Sequence, residues 1–206
     1  MTAVRDLNKG VVVSRITRMV LLTVIALFAA SPIASASPAK ALDSNLAALW
    51  TKVFLTPSAQ NSFGTGGSTF ACWNLGRTVA PLDPDHVDSC TVTTGTKVFV
   101  IGSTWECSTF EGNGTTEADL RTCAQEKDMQ QAPPIRVDGN AVTVAEAETP
   151  LLEIVLPADN IFGLPAGTDG LSVAHGWVTL LQPLTPGTHT IDIGGRITTI
   201  VVEPGR

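Results

Sequence analysis

The chain has 206 residues, with 13 Lys and Arg against 19 Asp and Glu, a net charge of −6 and no tyrosine. Nucleic acids and anionic lipids are bound through surplus lysine and arginine, so this balance argues against either as the partner. Sparse charge with abundant glycine, proline and threonine suits a loop-rich β protein better than a helical one.

Arg5, Lys9, Arg15 and Arg18 precede an apolar run from Met19 to Ala30, which leads to Ser31-Pro32 and the small tripeptide Ala34-Ser35-Ala36. That is the layout of a secretory signal peptide, residues 1–36, cleaved after Ala36. The run is 12 residues long. A helix crossing the hydrocarbon core needs roughly 20, so an uncleaved anchor is the weaker alternative. No later segment suits a bilayer span, and the expectation is a protein secreted to the exterior or held in the cell envelope. Cleavage leaves 170 residues carrying 9 Lys and Arg against 18 Asp and Glu. That length fits one domain, and a net −9 is compatible with solubility and cation binding.

Residues 37–67 read as a short helix and a linker. Leu46, Leu49, Trp50 and Val53 recur at helical spacing within Leu46 to Leu55, and Pro57 to Gly67 is rich in Ser, Gly and Asn. Residues 68–206 read as the main domain. Strands are predicted at Thr69 to Asn74, Ser89 to Thr93 and Thr96 to Ser103, where Val98-Phe99-Val100-Ile101 suits a strand covered on both faces. Between the first two, Asp83, Asp85 and Asp88 are spaced as calcium ligands could be, without the glycine and the glutamate of an EF-hand loop. Asp-Pro-Asp is equally ordinary turn chemistry.

Thr116-Glu117-Ala118-Asp119 is a capping signal for one inserted helix carrying Leu120, Cys123 and Ala124 on one face. Ile135 to Val137 and Asn140 to Val144 flank Asp138-Gly139, the strongest short hairpin signal in the chain. Leu151 to Leu156 is another strand, and Asp159 to Gly170 a turn-rich crossing. Then follow Ala174 to Ile191, broken at Pro183, Pro186 and Gly187, and a last strand from Arg196 to Glu203. If the break were a hairpin corner, Leu181 would face His189 and Thr179 would face Ile191. The expected fold is all-β, an antiparallel β-sandwich of jelly-roll or immunoglobulin-like type with one short inserted helix and two disulfides.

Cys72, Cys90, Cys107 and Cys123 are separated by 17, 16 and 15 residues. An even count in an exported chain reads as two disulfides rather than zinc, whose ligands in short domains usually come as Cys-x-x-Cys pairs. Sequential pairing, Cys72 with Cys90 and Cys107 with Cys123, needs the least rearrangement of neighbouring strands and is preferred over the other two connectivities.

Three further groups compete with purely structural readings. His189 reads as a core-facing histidine satisfying a carbonyl at the corner, and His175, beside Gly176, as exposed and inert. Trp50, Trp73, Trp105 and Trp177 invite sugar stacking, but strand tryptophans more often serve the core. Glu106, Glu111, Glu117 and Asp119 offer carboxyl pairs for glycoside hydrolysis. No Gly-x-Ser-x-Gly elbow is present, and Asn113-Gly114-Thr115 reads as a turn.

Val137-Asp138-Gly139, Pro157-Ala158-Asp159-Asn160, Gly176-Trp177 and Leu181-Gln182-Pro183-Leu184-Thr185-Pro186-Gly187-Thr188-His189-Thr190-Ile191 together resemble a pattern found in a group of uncharacterised, exported bacterial proteins. The resemblance covers Ile135 to the C-terminus and implies a β-sandwich and export, with Trp177, Pro183, Pro186, Gly187 and His189 as its fold corner. His175 stands where the pattern has Asp. The resemblance carries over no catalytic residue and no cofactor. The functional expectation is a non-catalytic binding or structural module whose partner is a cell-wall component or another envelope protein. The alternatives are an acid-using extracellular hydrolase and a calcium-stabilised envelope protein.

Overall fold

The computed structural model describes residues 38–64, 72–82 and 89–205. The signal peptide reading and the Asp83, Asp85 and Asp88 cluster lie outside the described residues.

The chain is mostly β. Helix α1 (Pro38–Leu55) is followed by β1 (Cys72–Asn74), β2 (Thr78–Pro81), β3 (Ser89–Thr93) and the long β4 (Lys97–Ser108). Helix α2 (Glu117–Lys127) precedes β5 (Ile135–Val137), β6 (Asn140–Ala141), β7 (Ala145–Glu148) and β8 (Leu152–Val155). The chain then forms β9 (Asp169–Leu181), β10 (Gly187–Ile193) and β11 (Arg196–Glu203). Sheet one runs β1-β2-β4-β9-β7, with β8 pairing the start of β9, and sheet two runs β3-β11-β10-β5-β6.

Pairing is mixed rather than purely antiparallel. β2 runs parallel to β4, and β3 parallel to β11. The reason is connectivity: β3 lies in the other sheet, so the chain leaves sheet one after β2 and re-enters it in the same direction as β4. The Pro183 to Gly187 segment likewise is no hairpin corner. Leu181 pairs with Val98 and His189 with Ile200, so the chain crosses from sheet one to sheet two. Pro183 has no amide hydrogen to continue the β9 ladder, which favours leaving the sheet there.

Alternation along β4 explains why it is buried on both sides. Val98 and Val100 join Val79 of sheet one and Cys90, Val92, Ile135, Ile191, Ile200 and Val202 of sheet two in one apolar layer. Phe99 and Ile101 face the opposite way, into a core with Leu46, Leu49, Trp50, Val53 and Phe54 of α1. The first helix is therefore longer than its periodic patch suggested, at 18 residues, and it covers the outer face of sheet one. Burying each such Val, Leu or Phe side chain stabilises by about 1.5–3 kcal/mol, which outweighs the modest propensity of a helix this short.

Asp138 and Gly139 both hold positive φ, 49° and 81°, as the predicted hairpin requires. The returning strand is shorter than expected, Asn140–Ala141, because the chain crosses to sheet one and forms β7 there.

Two disulfides are present and pair sequentially. Cys72–Cys90 joins β1 of sheet one to β3 of sheet two, and Cys107–Cys123 joins β4 to α2, with Cα separations of 5.6 and 6.1 Å. All four cysteines are thereby oxidised, which fits an oxidising location. Among the described residues no helix is long and apolar enough to cross a membrane.

Candidate functional site

The face of sheet one that meets sheet two is only half covered by it. Over the other half lies α2, packed through Leu120 and Ala124 onto Cys107 and Val173. Local sequence fixes both ends of this helix. At its start Thr116 accepts a hydrogen bond from the Asp119 amide at 3.2 Å, while Asp119 accepts from the Thr116 amide at 3.0 Å. The Thr116 hydroxyl first, then the Thr115 and Thr116 amides donating to the carboxylate, hold the Asp119 carboxyl below its ordinary value. At its end Asp128 caps the helix, its amide donating to the Ala124 carbonyl at 3.1 Å.

Asp128 is buried, and it does more than cap. One carboxylate oxygen accepts from the Met129 amide at 2.8 Å, and the other lies 2.9 Å from His175 Nδ1. Next along β9, Trp177 donates its ring N–H to the Met129 carbonyl at 2.7 Å. The segment leaving α2 is thus tied to β9 at two successive inward-facing positions. His175 lies opposite Trp105 of β4 and Glu148 of β7; Trp177 lies opposite Ser103 and Glu146. Gly102 makes the approach possible. It sits at a bulge in β4, and a Cβ there would stand 2.7 Å from the Pro133 ring and 3.0 Å from the Trp177 carbonyl.

Between α2, the segment after it and β9 is a cavity of about 330 Å³, lined by Gln125, Met129, Gln130, Glu146, His175 and Trp177. His175 is 8% exposed, so it is neither exposed nor at a strand end: β9 begins at Asp169 and carries the residue to the middle of the sheet. Its ring meets the Trp177 ring edge-on, at 88°. Its Nε2 stands 3.9 Å from the Glu146 carboxylate, beyond hydrogen-bonding distance. Nothing in the sequence pointed here, because Asp128 and His175 are 47 residues apart and meet only through the helix packing. The one usable signal was the capping box, which fixes where α2 starts and so roughly where its C-terminal end falls.

His189 is differently placed. Its Nδ1 bonds Asp138 at 2.7 Å, and its Nε2 donates to the Thr185 carbonyl of the corner at 2.8 Å. A second Asp138 oxygen accepts from the Thr190 amide at 2.9 Å. Both ring nitrogens have an acceptor, so the doubly protonated ring is favoured. The bond to Asp138, then that to Thr185, raises the His189 pKa above its ordinary value, and His189 in turn lowers that of Asp138. The corner is a finished tie between the β5–β6 turn and the start of β10. Asn160 does similar work in the crossing after β8, donating to the carbonyls of Pro157 and Leu164 and accepting from the amides of Phe162 and Leu164.

Of the four acids considered for hydrolysis, two are spent on α2: Asp119 in its capping box and Glu117 on Arg121, which also holds Glu148. Glu106 is buried on the α1 side of sheet one and accepts from the Ser172 hydroxyl at 2.5 Å. Burial pushes its pKa up to about 8, with neighbouring Glu111 raising it further against the opposing Ser172 bond. Glu106 and the His175 cavity thus lie on opposite faces of the same sheet.

The tryptophans divide. Trp50 and Trp73 are buried, donating to Thr104 Oγ1 and the Leu82 carbonyl. Trp105 is 47% exposed beneath the Lys127 ammonium, and Trp177 lines the cavity. Asn113 accepts from the Ser108 amide within a turn. Among the described residues no group of three or more His, Cys, Asp or Glu is arranged to hold a metal. No protein-family model matches the chain, and comparison with curated proteins finds no match.

Proposed function

We propose that the chain is a secreted bacterial binding module that acts without catalysis at the cell envelope or beyond it, seating its ligand in the cavity between α2 and β9. On this reading the two sheets are the layers of a β-sandwich, braced by a disulfide across the layers, and the chain belongs with the exported proteins whose corner pattern it resembles. The observation that carries the reading is the buried His175. Its orientation is set by Asp128, and its second ring nitrogen opens into a cavity whose lining side chains include no hydroxyl, thiol or amine nucleophile. A positioned base with no hydroxyl, thiol or amine beside it suits recognition better than acyl transfer of the serine or cysteine type.

The test is a ligand screen of the disulfide-bonded protein against cell-wall glycans, amines and divalent cations with a chelator control, read by the NMR signal of the Trp177 ring N–H and by thermal shift. A ligand that moves that signal, and fails to do so in His175→Ala, supports the reading. Extracellular hydrolysis is the competing reading, favoured by the high proton affinity of Glu106 beside Glu111. It requires turnover of a glycan panel that Glu106→Gln abolishes, whereas a binding module turns over none of them.

A further inference from the structure

The polar atoms lining the cavity can be sorted by what each has left to offer. Trp177 has one N–H, and the Met129 carbonyl takes it. Gln130 directs its amide nitrogen at two backbone carbonyls, those of Gln125 and Asp128, both at 3.2 Å, which uses both hydrogens. Gln125 turns its amide nitrogen toward Glu148 at 2.7 Å. These contacts also fix which end of each glutamine is nitrogen, since a carbonyl or carboxylate can only accept.

His175 follows the same logic. Asp128 faces Nδ1 and can only accept as a carboxylate, so Nδ1 carries a proton, and the neutral tautomer this selects has its lone pair on Nε2. Across from that lone pair, at 3.9 Å, stands a Glu146 oxygen, on a side chain 63% exposed and otherwise without a hydrogen-bond partner or ion pair among the described residues. In that tautomer two acceptors face each other with no hydrogen between them. Apart from one hydrogen on Gln125, the side-chain polar atoms of the lining residues that have no partner among the described residues are acceptors: Nε2 of His175 in that tautomer, the Glu146 carboxylate, and the side-chain oxygens of Gln125 and Gln130.

From this one-sided inventory we infer that the cavity binds a primary alkylammonium group, of the kind carried by a lysine side chain or a small polyamine. Three N–H donors on one cationic atom match the acceptors that the lining side chains offer, Glu146, His175 Nε2 and a glutamine oxygen. The methylene chain behind that atom lies against the Trp177 ring and Met129, where a cation and its adjoining carbons are both favoured by the aromatic face. A sugar fits less well, because its hydroxyls also need donors and the cavity has almost none to give. A transition metal needs three or four protein ligands, and His175 with Glu146 supplies two. The inference rests on the reading of the cavity as a ligand site.

The experiment titrates the disulfide-bonded protein with n-butylammonium, 1-butanol, methylguanidinium and methyl glucoside, following the Trp177 ring N–H by NMR. Butylammonium is expected to bind at least about tenfold more tightly than butanol, and Glu146→Gln is expected to reduce that affinity about tenfold without moving the thermal midpoint. Butanol matching butylammonium, methylguanidinium binding more tightly than butylammonium, or an unchanged affinity in Glu146→Gln overturns the inference. A signal moved by methyl glucoside and not by butylammonium overturns it while leaving the ligand-site reading intact; a signal moved by none of the four overturns both. Nα-acetyl-lysine methylamide and putrescine then separate the two sources of the group, the tighter binder identifying a protein lysine or a free polyamine.

Discussion

The two histidine–aspartate pairs differ in whether the second ring nitrogen is bonded. At the corner, His189 is held by Asp138 and Thr185 so that both ring nitrogens are used, although the Asp138 side chain is 45% exposed. Beneath α2, His175 and Asp128 have side chains only 10% and 2% exposed, yet one ring nitrogen is left open toward a cavity. The shallower pair is the finished one. A histidine's role is thus told by where its second nitrogen goes rather than by its depth: two partners make a strap, and one partner plus a void makes a receptor.

The buried pair hangs on a helix held by a disulfide, and breaking the disulfides has a large expected effect. Cys107→Ser with Cys123→Ser releases α2 from β4, lowers unfolding stability by about 3 kcal/mol in urea titrations and abolishes butylammonium binding, since α2 positions Asp128. Cys72→Ser with Cys90→Ser costs a similar amount, about 3 kcal/mol, by freeing β1 from β3, but leaves the cavity intact in whatever fraction stays folded.

Glu106 sharpens the comparison by setting the pH background. Its native pKa of about 8 lies above the ordinary 4.5, so between those values the folded chain holds a proton that the unfolded chain releases. Stability therefore falls as pH rises through that window, by at most about 1.4 kcal/mol per pH unit. Glu106→Gln flattens the slope, as read from urea midpoints across the window.

In that flattened background the corner becomes visible. The His189 contribution is full below its ordinary 6.5 and disappears as pH climbs through its raised native value. The Asp138 contribution is present above its ordinary 3.8 and is lost as pH falls through its depressed value. Asp138→Asn is expected to remove about 1 kcal/mol, discounted for the exposure of the carboxylate, between those limits and little outside them. The smallest stability effect is at Glu146: Glu146→Gln shifts unfolding by less than about 0.5 kcal/mol, because among the described residues its carboxylate makes no hydrogen bond.

What the sequence made legible was local. The Asp138-Gly139 turn, the Thr116 to Asp119 capping box and the double-sided burial of Val98 to Ile101 each follow from a few adjacent residues, and each appears as expected. Sequential cystine pairing was preferred because it needs the least rearrangement of neighbouring strands, and it holds. Which sheet a strand joins is a different kind of information. Pro183 and Pro186 announce a break, but whether the chain turns back or crosses over depends on β4 holding β9 while β11 takes β10, and β4 lies far away in sequence. The site was hidden for the same reason. His175 carried a misleading neighbour in Gly176, which suggested a loose strand end; in the structure that glycine makes room, since a Cβ there would stand 2.9 Å from the Ser103 carbonyl.

β11 lies in the middle of sheet two, between β3 and β10, although it is formed by Arg196–Glu203. A chain synthesised or threaded from its N-terminus can therefore zip β4 against β9 early, but has to keep β3 waiting for a neighbour more than a hundred positions downstream. Until that neighbour emerges, the inward side chains Cys90 and Val92 have no completed layer to enter. Such long-range closure is entropically costly and slow, so deleting a few residues from β11 should stall maturation at a half-built, sticky stage rather than merely trim an edge.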